Sequence, residues 1–236
     1  MDQAVLVTGA ASGMGLATAR RFLDAGWTVL GLDRDAGRLE ELAGELGAGF
    51  VPVAADVTDA AALRPVLAAR LGTHPLRAVV NAAGIYPPST LDDVTEDVYR
   101  RVFDVNVLGV LNVSQACLPH LRAAHGGAIV NFASVDALAV SPGQLVYSAS
   151  KAAVMSLTRS LAYELAADGI VVNGVAPGWV DTPGSAATGR MADVVSTIPL
   201  GRVAQPEEIA DWVYLLTQGG YVTGETLVIS GGSLIR

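Results

Sequence analysis

A single cysteine, Cys117, stands among the 236 residues, so no intramolecular disulfide can form and no cysteine cluster can hold zinc. Histidine is almost as scarce. His74, His120 and His125 are scattered, and a five-residue spacing of the last two near a helix end is not a metal-ligand pattern. The three read as surface or capping residues, and no metal is expected. Positive charge is sparse too, with 15 Lys and Arg against 23 Asp and Glu and a formal net charge of −8. With no basic cluster and no aromatic run interleaved with Arg, that balance excludes the phosphate footprint of a nucleic-acid binder. No stretch approaches the ~20 apolar residues of a membrane span, and no signal peptide is seen. After Met1-Asp2-Gln3 the chain goes directly into an apolar run. These absences predict a cytoplasmic protein without a membrane partner. Solenoid-length repeats, low-complexity tracts and long linkers are also missing, so 1–236 is expected to be one domain.

What is present is apolar material and glycine. Half the residues are hydrophobic, enough for a large core. Ala4-Val5-Leu6-Val7 reads as a buried strand because glycines bound it. Thr8-Gly9-Ala10-Ala11-Ser12-Gly13-Met14-Gly15 follows, then a helix to about Ala25 with Leu16, Ala19, Phe22 and Leu23 on one face and Gly26 at its end. Trp27 to Leu32 is a second strand, closed by Asp33-Arg34-Asp35. Strand, glycine loop, helix, strand and acid outline a dinucleotide-binding βαβ unit. The glycines let the backbone approach a pyrophosphate, and the helix start offers free N–H groups and a positive dipole end. A plain tight turn is the bland alternative. Asp33 can accept both ribose hydroxyls of NAD and would repel a 2′-phosphate. Arg34 beside it is able to pair with that phosphate, so NADP is the less favoured cofactor.

Alternation continues. Helix 36–46 precedes a strand at Phe50-Val51-Pro52-Val53, and Thr58 or Asp59 can cap the helix running to about Leu71. Asp56 and Val57 sit where a strand end can reach an adenine. A strand at Arg77-Ala78-Val79-Val80 ends in Asn81-Ala82-Ala83-Gly84, whose small residues leave room for a ligand. A long helix from about Asp97 to Leu121 carries an expected irregularity at Asn106 and Gly109. A buried asparagine there must be bonded or belong to a site. A fifth strand ends at Ser134, a helix spans Tyr147 to about Ala167 with Gly169 at its end, and a sixth strand leads into Ala176-Pro177-Gly178-Trp179-Val180-Asp181-Thr182. Residues 183–199, rich in Gly, Ala, Ser and Thr, read as a mobile flap or an ordinary surface loop with a short helix. Pro206 opens a last helix, and Thr226-Leu227-Val228-Ile229 is the seventh strand. Strand–helix alternation throughout predicts an α/β doubly wound parallel seven-stranded sheet with helices on both faces.

The chemistry centres on Tyr147-Ser148-Ala149-Ser150-Lys151. Positions i and i+4 share a helix face, which sets a phenol beside an ammonium. A lysine charge about 5 Å away at an effective dielectric of about 20 favours the phenolate by roughly 3 kcal/mol, enough to bring it near the range of proton exchange at neutral pH. The bland alternative places both on a solvated helix face.

Thr8-Gly9-x-x-x-Gly13-x-Gly15, Asn81-Ala82-Ala83-Gly84, Asn106, Ser134, Tyr147-x-x-x-Lys151 and Pro177-Gly178 stand in the order seen in short-chain dehydrogenase/reductases, and the chain resembles that family over essentially its whole length. The resemblance implies Tyr147 as the acid/base on the substrate oxygen. Lys151 would lower its pKa and bind the nicotinamide ribose, Ser134 would orient the substrate oxygen, and Asn106 would hold a water of a proton relay. Gly9, Ser12, Gly13, Met14 and Gly15 would surround the pyrophosphate. Asp33 would take the adenosine ribose, Asp56 and Val57 the adenine. Asn81, Gly84, Pro177 and Gly178 would line the cofactor cleft, and Val180 and Thr182 would meet the nicotinamide carboxamide. Ala82 departs from the frequent Asn-Asn-Ala-Gly pattern by one hydrogen-bonding side chain, with a modest local effect expected. The substrate pocket is expected at Tyr86, Asp136, Leu138, Gln144 and Trp179. The implied activity is hydride transfer between NAD(H) and a secondary alcohol or ketone by a homotetramer. An NADP-dependent ketoreductase, including the ketoacyl carrier-protein type, and a non-catalytic NAD-binding regulator are the alternatives.

Overall fold

The structure is a computed structural model that describes residues 3–71, 74–189 and 191–235, so Met1 and Asp2 lie outside it. Strand β1 (Ala4–Thr8) is buried along its whole length. Helix α1 (Gly13–Asp24) follows and is closed by Gly26 at φ 79°, a left-handed conformation that only glycine adopts without cost. Then come β2 (Thr28–Asp33), α2 (Ala36–Leu46), β3 (Phe50–Ala54), α3 (Ala60–Leu71) and β4 (Leu76–Asn81). Asp59 caps α3 by accepting the Ala62 N–H at 3.0 Å, which decides between the two expected caps. The second half holds α4 (Glu96–Phe103), α5 (Gly109–Ala123), β5 (Gly127–Phe132), α6 (Leu145–Leu165), β6 (Ile170–Pro177), the short α7 (Pro183–Ala186) and α8 (Met191–Val195), α9 (Pro206–Leu216) and β7 (Thr226–Ile229).

The seven strands form one parallel sheet in the order β3-β2-β1-β4-β5-β6-β7. Alternating side chains feed two cores, as a period of two requires. Ala4 and Leu6 face the layer of Leu63, Leu67, Val113, Cys117, Leu121 and Leu165 on α3, α5 and α6. Val5 and Val7 face Ala19, Phe22, Leu39, Leu42, Ile209 and Val213 on α1, α2 and α9. Cys117 is fully buried, so its thiol is a small apolar filler and burial raises its pKa. The order reverses direction between β1 and β4. In an open α/β sheet, that point opens a crevice at the strands' carboxyl ends.

Two expectations about the long helix are refined. The irregularity at Asn106 is a π-helical turn, Asp104–Leu108, that joins α4 to α5. The continuous helical run Glu96–Ala123 is also 28 residues long and contains an 18-residue stretch with a mean hydropathy of 1.3, long and apolar enough by length and composition to cross a membrane. Half of the qualifying stretch is buried, because one flank packs on the sheet and on α3. The segment expected as a flap contains α7 and α8, and Arg190 within it lies outside the described residues.

Candidate active site

The crevice is stitched together by a residue whose role the sequence did not announce. Thr8, at the end of β1 and 1% exposed, accepts the N–H groups of Ala82 and Ala83 at 3.0 Å each and donates to the Val80 carbonyl at 3.4 Å. Its hydroxyl ties the two sides of the crevice together. Gly9 then turns at φ 67°, where a Cβ would lie 3.0 Å from Ala83 Cα, and a Cβ on Gly15 would overlap the Gly9 carbonyl oxygen. These contacts bring the loop down against the start of α1. Ser12, the N-cap residue, makes no side-chain cap bond, so the first N–H groups of α1 and its own hydroxyl remain free at the cleft.

The cleft beside this loop has a cavity of about 320 Å³ and is lined by Gly9, Ser12, Gly13, Met14, Gly15, Asp33, Arg34, Asp56, Val57 and Gly84, among others. A dinucleotide fits this cradle: a glycine-lined helix N-terminus for the phosphates and a carboxylate at the end of β2 for a ribose. Asp33 is half-buried and pre-oriented. Its Oδ2 accepts the Ala11 N–H and its Oδ1 the Asp35 N–H, both at 3.1 Å. Asp56 accepts the Thr58 N–H and hydroxyl at 2.8 Å. That Thr58 bond, with a smaller contribution from the nearby Arg34 guanidinium, holds its carboxyl below the usual range. Val57 is positioned from below: Asn112 donates to its carbonyl at 3.0 Å, and a Cβ on Gly109 would sit 2.8 Å from its side chain.

A second cavity, of about 150 Å³, adjoins the first and shares Met14, Tyr86 and Thr182 with it. Ser134, Asp136, Gln144, Tyr147, Pro177, Gly178, Trp179 and Val180 line it. Four of the five residues expected at the substrate pocket (Tyr86, Asp136, Gln144 and Trp179) thus meet here, while Leu138 is not on its wall. Pro177 and Gly178, expected along the cofactor cleft, and Val180, expected at the nicotinamide carboxamide, lie on this second cavity, because β6 ends beside β5 rather than at the β1–β4 crevice. Thr182 belongs to both.

The side chain of Asn81 turns away from the cleft. It is 3% exposed and does not line either cavity. Its Nδ2 donates to Asn131 Oδ1 at 2.8 Å, and Asn131 donates to Thr158 at 3.0 Å, so the side chain belongs to a buried polar chain under β4, β5 and α6. Strand alternation explains this: Asn81 points to the face opposite Val80, away from the ligand edge.

Asn106 is fully buried. It accepts the Ile85 N–H at 2.8 Å, donates to the Ile85 carbonyl at 2.9 Å and donates to Ser150 at 3.0 Å. Lys151, 5% exposed, donates to the Phe132 carbonyl at 2.6 Å, and its Nζ lies 5.7 Å from the centre of the Tyr147 ring. The one-turn spacing therefore does bring phenol and amine together. The electrostatic expectation is reversed, however. Burial lowers Lys151 to about 8 and raises Tyr147 well above its ordinary value, with only the neighbouring Ser134 hydroxyl acting to lower it. Desolvation disfavours both charged forms, and it outweighs their mutual attraction. Tyr86 packs edge-on against Tyr147 with ring centres 5.8 Å apart.

Ser89 was not anticipated. It is 1% exposed, its N–H donates to the Gly143 carbonyl at 2.8 Å, and its hydroxyl accepts the Val146 N–H at 3.2 Å. It locks the loop carrying Tyr86 to the start of α6. No local pattern in Pro87-Pro88-Ser89 signals a partner more than fifty residues away.

A Ser–Tyr–Lys cluster beside a glycine-lined dinucleotide cleft, both at the carboxyl edge of one parallel sheet, defines a nicotinamide-dinucleotide oxidoreductase of the α/β type. The comparisons agree. Residues 9–233 match a family model described as enoyl-(acyl carrier protein) reductase. The chain is 37% identical over 238 residues to a 3-oxoacyl-(acyl-carrier-protein) reductase of Thermotoga maritima, covering 98% of this chain and 97% of that one. It is 38% identical over 246 residues to a cis-4-hydroxycyclohexanecarboxylate dehydrogenase of Sinomonas cyclohexanicum, covering 98% and 96%. Among solved structures, a 3-ketoacyl-(acyl-carrier-protein) reductase from Brucella melitensis complexed with NADH superposes with a TM-score of 0.93 at 32% identity, over 99% of this chain and 98% of that one. The chain belongs to the short-chain dehydrogenase/reductase family and is an oxidoreductase.

Proposed function

We propose that this protein transfers a hydride between NAD(H) and a secondary alcohol or its ketone, with Tyr147 as acid/base. The observation that carries the reading is the meeting of Tyr147 and Ser134 on the cavity adjoining the glycine-lined cleft, with Lys151 behind the phenol. The cofactor supplies the hydride itself. The chain's own work is to bind, orient and move a proton. In the reducing direction, Ser134 donates to the carbonyl oxygen as it gains charge, and Tyr147 gives that oxygen its proton. In oxidation, Tyr147 takes the hydroxyl proton. The raised phenol suits the first role as it stands. For the second, the Lys151 ammonium, 5.7 Å from the ring centre, is the charge that would bring it down. Asn106 holds Ile85 and Ser150, so it keeps the cofactor cleft and α6 in register and stands where a proton relay from Lys151 would begin.

NAD is favoured over NADP because the Asp33 carboxylate faces the cleft with both oxygens pre-oriented and would repel a 2′-phosphate. The second reading, an NADP-dependent ketoreductase of the carrier-protein type, draws on Arg34 lining the same cleft and on the names of relatives such as the Thermotoga maritima reductase. The site residues speak against a non-catalytic NAD-binding regulator, because Ser134, Tyr147 and Lys151 are all present and clustered. Titration with NADH and NADPH, followed by quenching of the fluorescence of Trp27, Trp179 and Trp212, separates these readings. Tighter NADH binding and turnover of secondary alcohols with NAD are expected. Preference for NADPH transfers the argument to Arg34, and binding of neither refutes the cleft assignment.

Residues 1–236 act in this reading as one cytoplasmic dinucleotide-binding and catalytic domain, with 183–199 as the substrate flap. Pro183 and Gly184 on the first cavity and Ser185 and Thr188 on the second support the flap. The active form is a homotetramer, supported by an exposed stripe of Leu145, Ala149, Ala152, Ser156 and Tyr163 along α6.

A further inference from the structure

Gln144 is one of the polar groups of the second cavity that hydride transfer leaves unused. Its backbone is fixed: its N–H donates to the Ser141 carbonyl at 3.2 Å, its carbonyl accepts the Ser148 N–H at 2.8 Å, and it bridges Ser89 in parallel register. It occupies the N-cap position of α6, yet its side chain makes no capping bond. The carboxamide oxygen Oε1 is buried and has no hydrogen-bond partner among the described residues, while the residue lines the cavity that Ser134 and Tyr147 also line. An acceptor shut away from water with no donor is costly, and one carried by a residue that lines a ligand cavity points to a donor on the ligand, met when the side chain turns toward it.

We propose that Gln144 is a specificity-determining residue that recognises a second oxygen on the substrate, a hydroxyl one or two carbons from the reacting carbon. The substrate class is then small hydroxyketones and the corresponding diols. A hydroxyl both donates and accepts, so it satisfies Oε1 and Nε2 of the same carboxamide, which a carbonyl cannot do. The spacing sets its place on the substrate. Gln144 precedes Tyr147 by three residues, so the two side chains leave α6 about one turn, roughly 4.5 Å, apart along the axis. The cavity of about 150 Å³, with Tyr86 and Trp179 in its wall, matches a ligand of few atoms. The inference rests on the proposed function, since Tyr147 and Ser134 must hold the first oxygen.

The test is steady-state reduction of 3-hydroxy-2-butanone, 4-hydroxy-2-butanone, 2-butanone and an acetoacetyl thioester by the wild type, Gln144→Leu and Gln144→Glu, each saturated with cofactor. For the wild type, kcat/KM on the better hydroxybutanone should exceed that on 2-butanone by about tenfold or more, mainly through KM. Gln144→Leu should bring that ratio to within about twofold of unity. Gln144→Glu, which keeps an acceptor, should retain most of it. No preference in the wild type, a preference that survives Gln144→Leu, or turnover confined to the thioester overturns the inference and leaves hydride transfer standing. If the cofactor binds and none of the four compounds turns over, the inference and the proposed function fall together.

Discussion

Tyr147 and Lys151 show how burial governs single groups here. Lys151 is buried and Tyr147 partly so, which disfavours both charged forms, and the phenol holds its proton until a substrate oxygen takes it. Tyr147→Phe removes the proton while keeping the ring that packs on Tyr86. Turnover should fall by a factor of about 10² to 10⁴ with NADH affinity little changed, and near-native turnover would refute the acid/base role. Lys151 makes a second prediction. Its folded value of about 8 lies below its ordinary 10.5, so between these values the unfolded chain binds more protons and stability rises with pH. Below pH 8 the cost of the buried ammonium is fully present. Tyr147 works the other way, but only above pH 10, where the unfolded phenol begins to ionise. From pH 8 to 10 the cofactor-free protein should therefore gain roughly 2–3 kcal/mol relative to Lys151→Met. Parallel pH profiles of urea unfolding for the two proteins would contradict it.

Among the elements, the π turn at Asp104–Leu108 and the start of α6 place the site. The wider turn carries Asn106 inward, where one side chain satisfies both backbone groups of Ile85. Asn106→Ala strands these groups. It should lower stability by about 1–3 kcal/mol in chemical denaturation, and an unchanged midpoint would show that water replaces the side chain at no cost. Ser89 acts on the other side of the same loop. Ser89→Ala loses the bond to Val146 N–H and loosens Tyr86 and Gln144 relative to Tyr147. The expected kinetic signature is a KM for the ketone that rises more than the Kd for NADH, because Ser89 anchors Tyr86 and Gln144 but none of the glycine loop, Asp33 or Asp56. Element boundaries were close to legible: glycines and proline close or open α1, α6 and α9, and apolar runs set the strands. The π turn was legible only as an irregularity, since an i→i+5 pattern has no composition of its own.

Over the whole molecule, the exposed stripe on α6 and the exposed Tyr99 and Leu108 on the preceding helical run offer apolar surface to a second copy. Light scattering should give the mass of four chains, and a monomer at micromolar concentration would remove the tetramer from the proposal. The alternation of strand and helix, the glycine loop and the Tyr147–Lys151 spacing determined the fold class, the glycine-lined cleft and the meeting of Tyr147 with Lys151 from sequence alone. They could do so because each is a local pattern: period two, period 3.6, or a conformation that only glycine tolerates. The tertiary structure alone decided what depends on long-range neighbours. Asn81 turns into a buried polar chain with Asn131 and Thr158, Thr8 and Ser89 join segments far apart in sequence, and Pro177, Gly178 and Val180 fall on the substrate side. The same holds for the direction of the Tyr147 and Lys151 shifts. Spacing along a helix fixes how far apart two charges lie, whereas the packing of the whole sheet fixes how much water they lose.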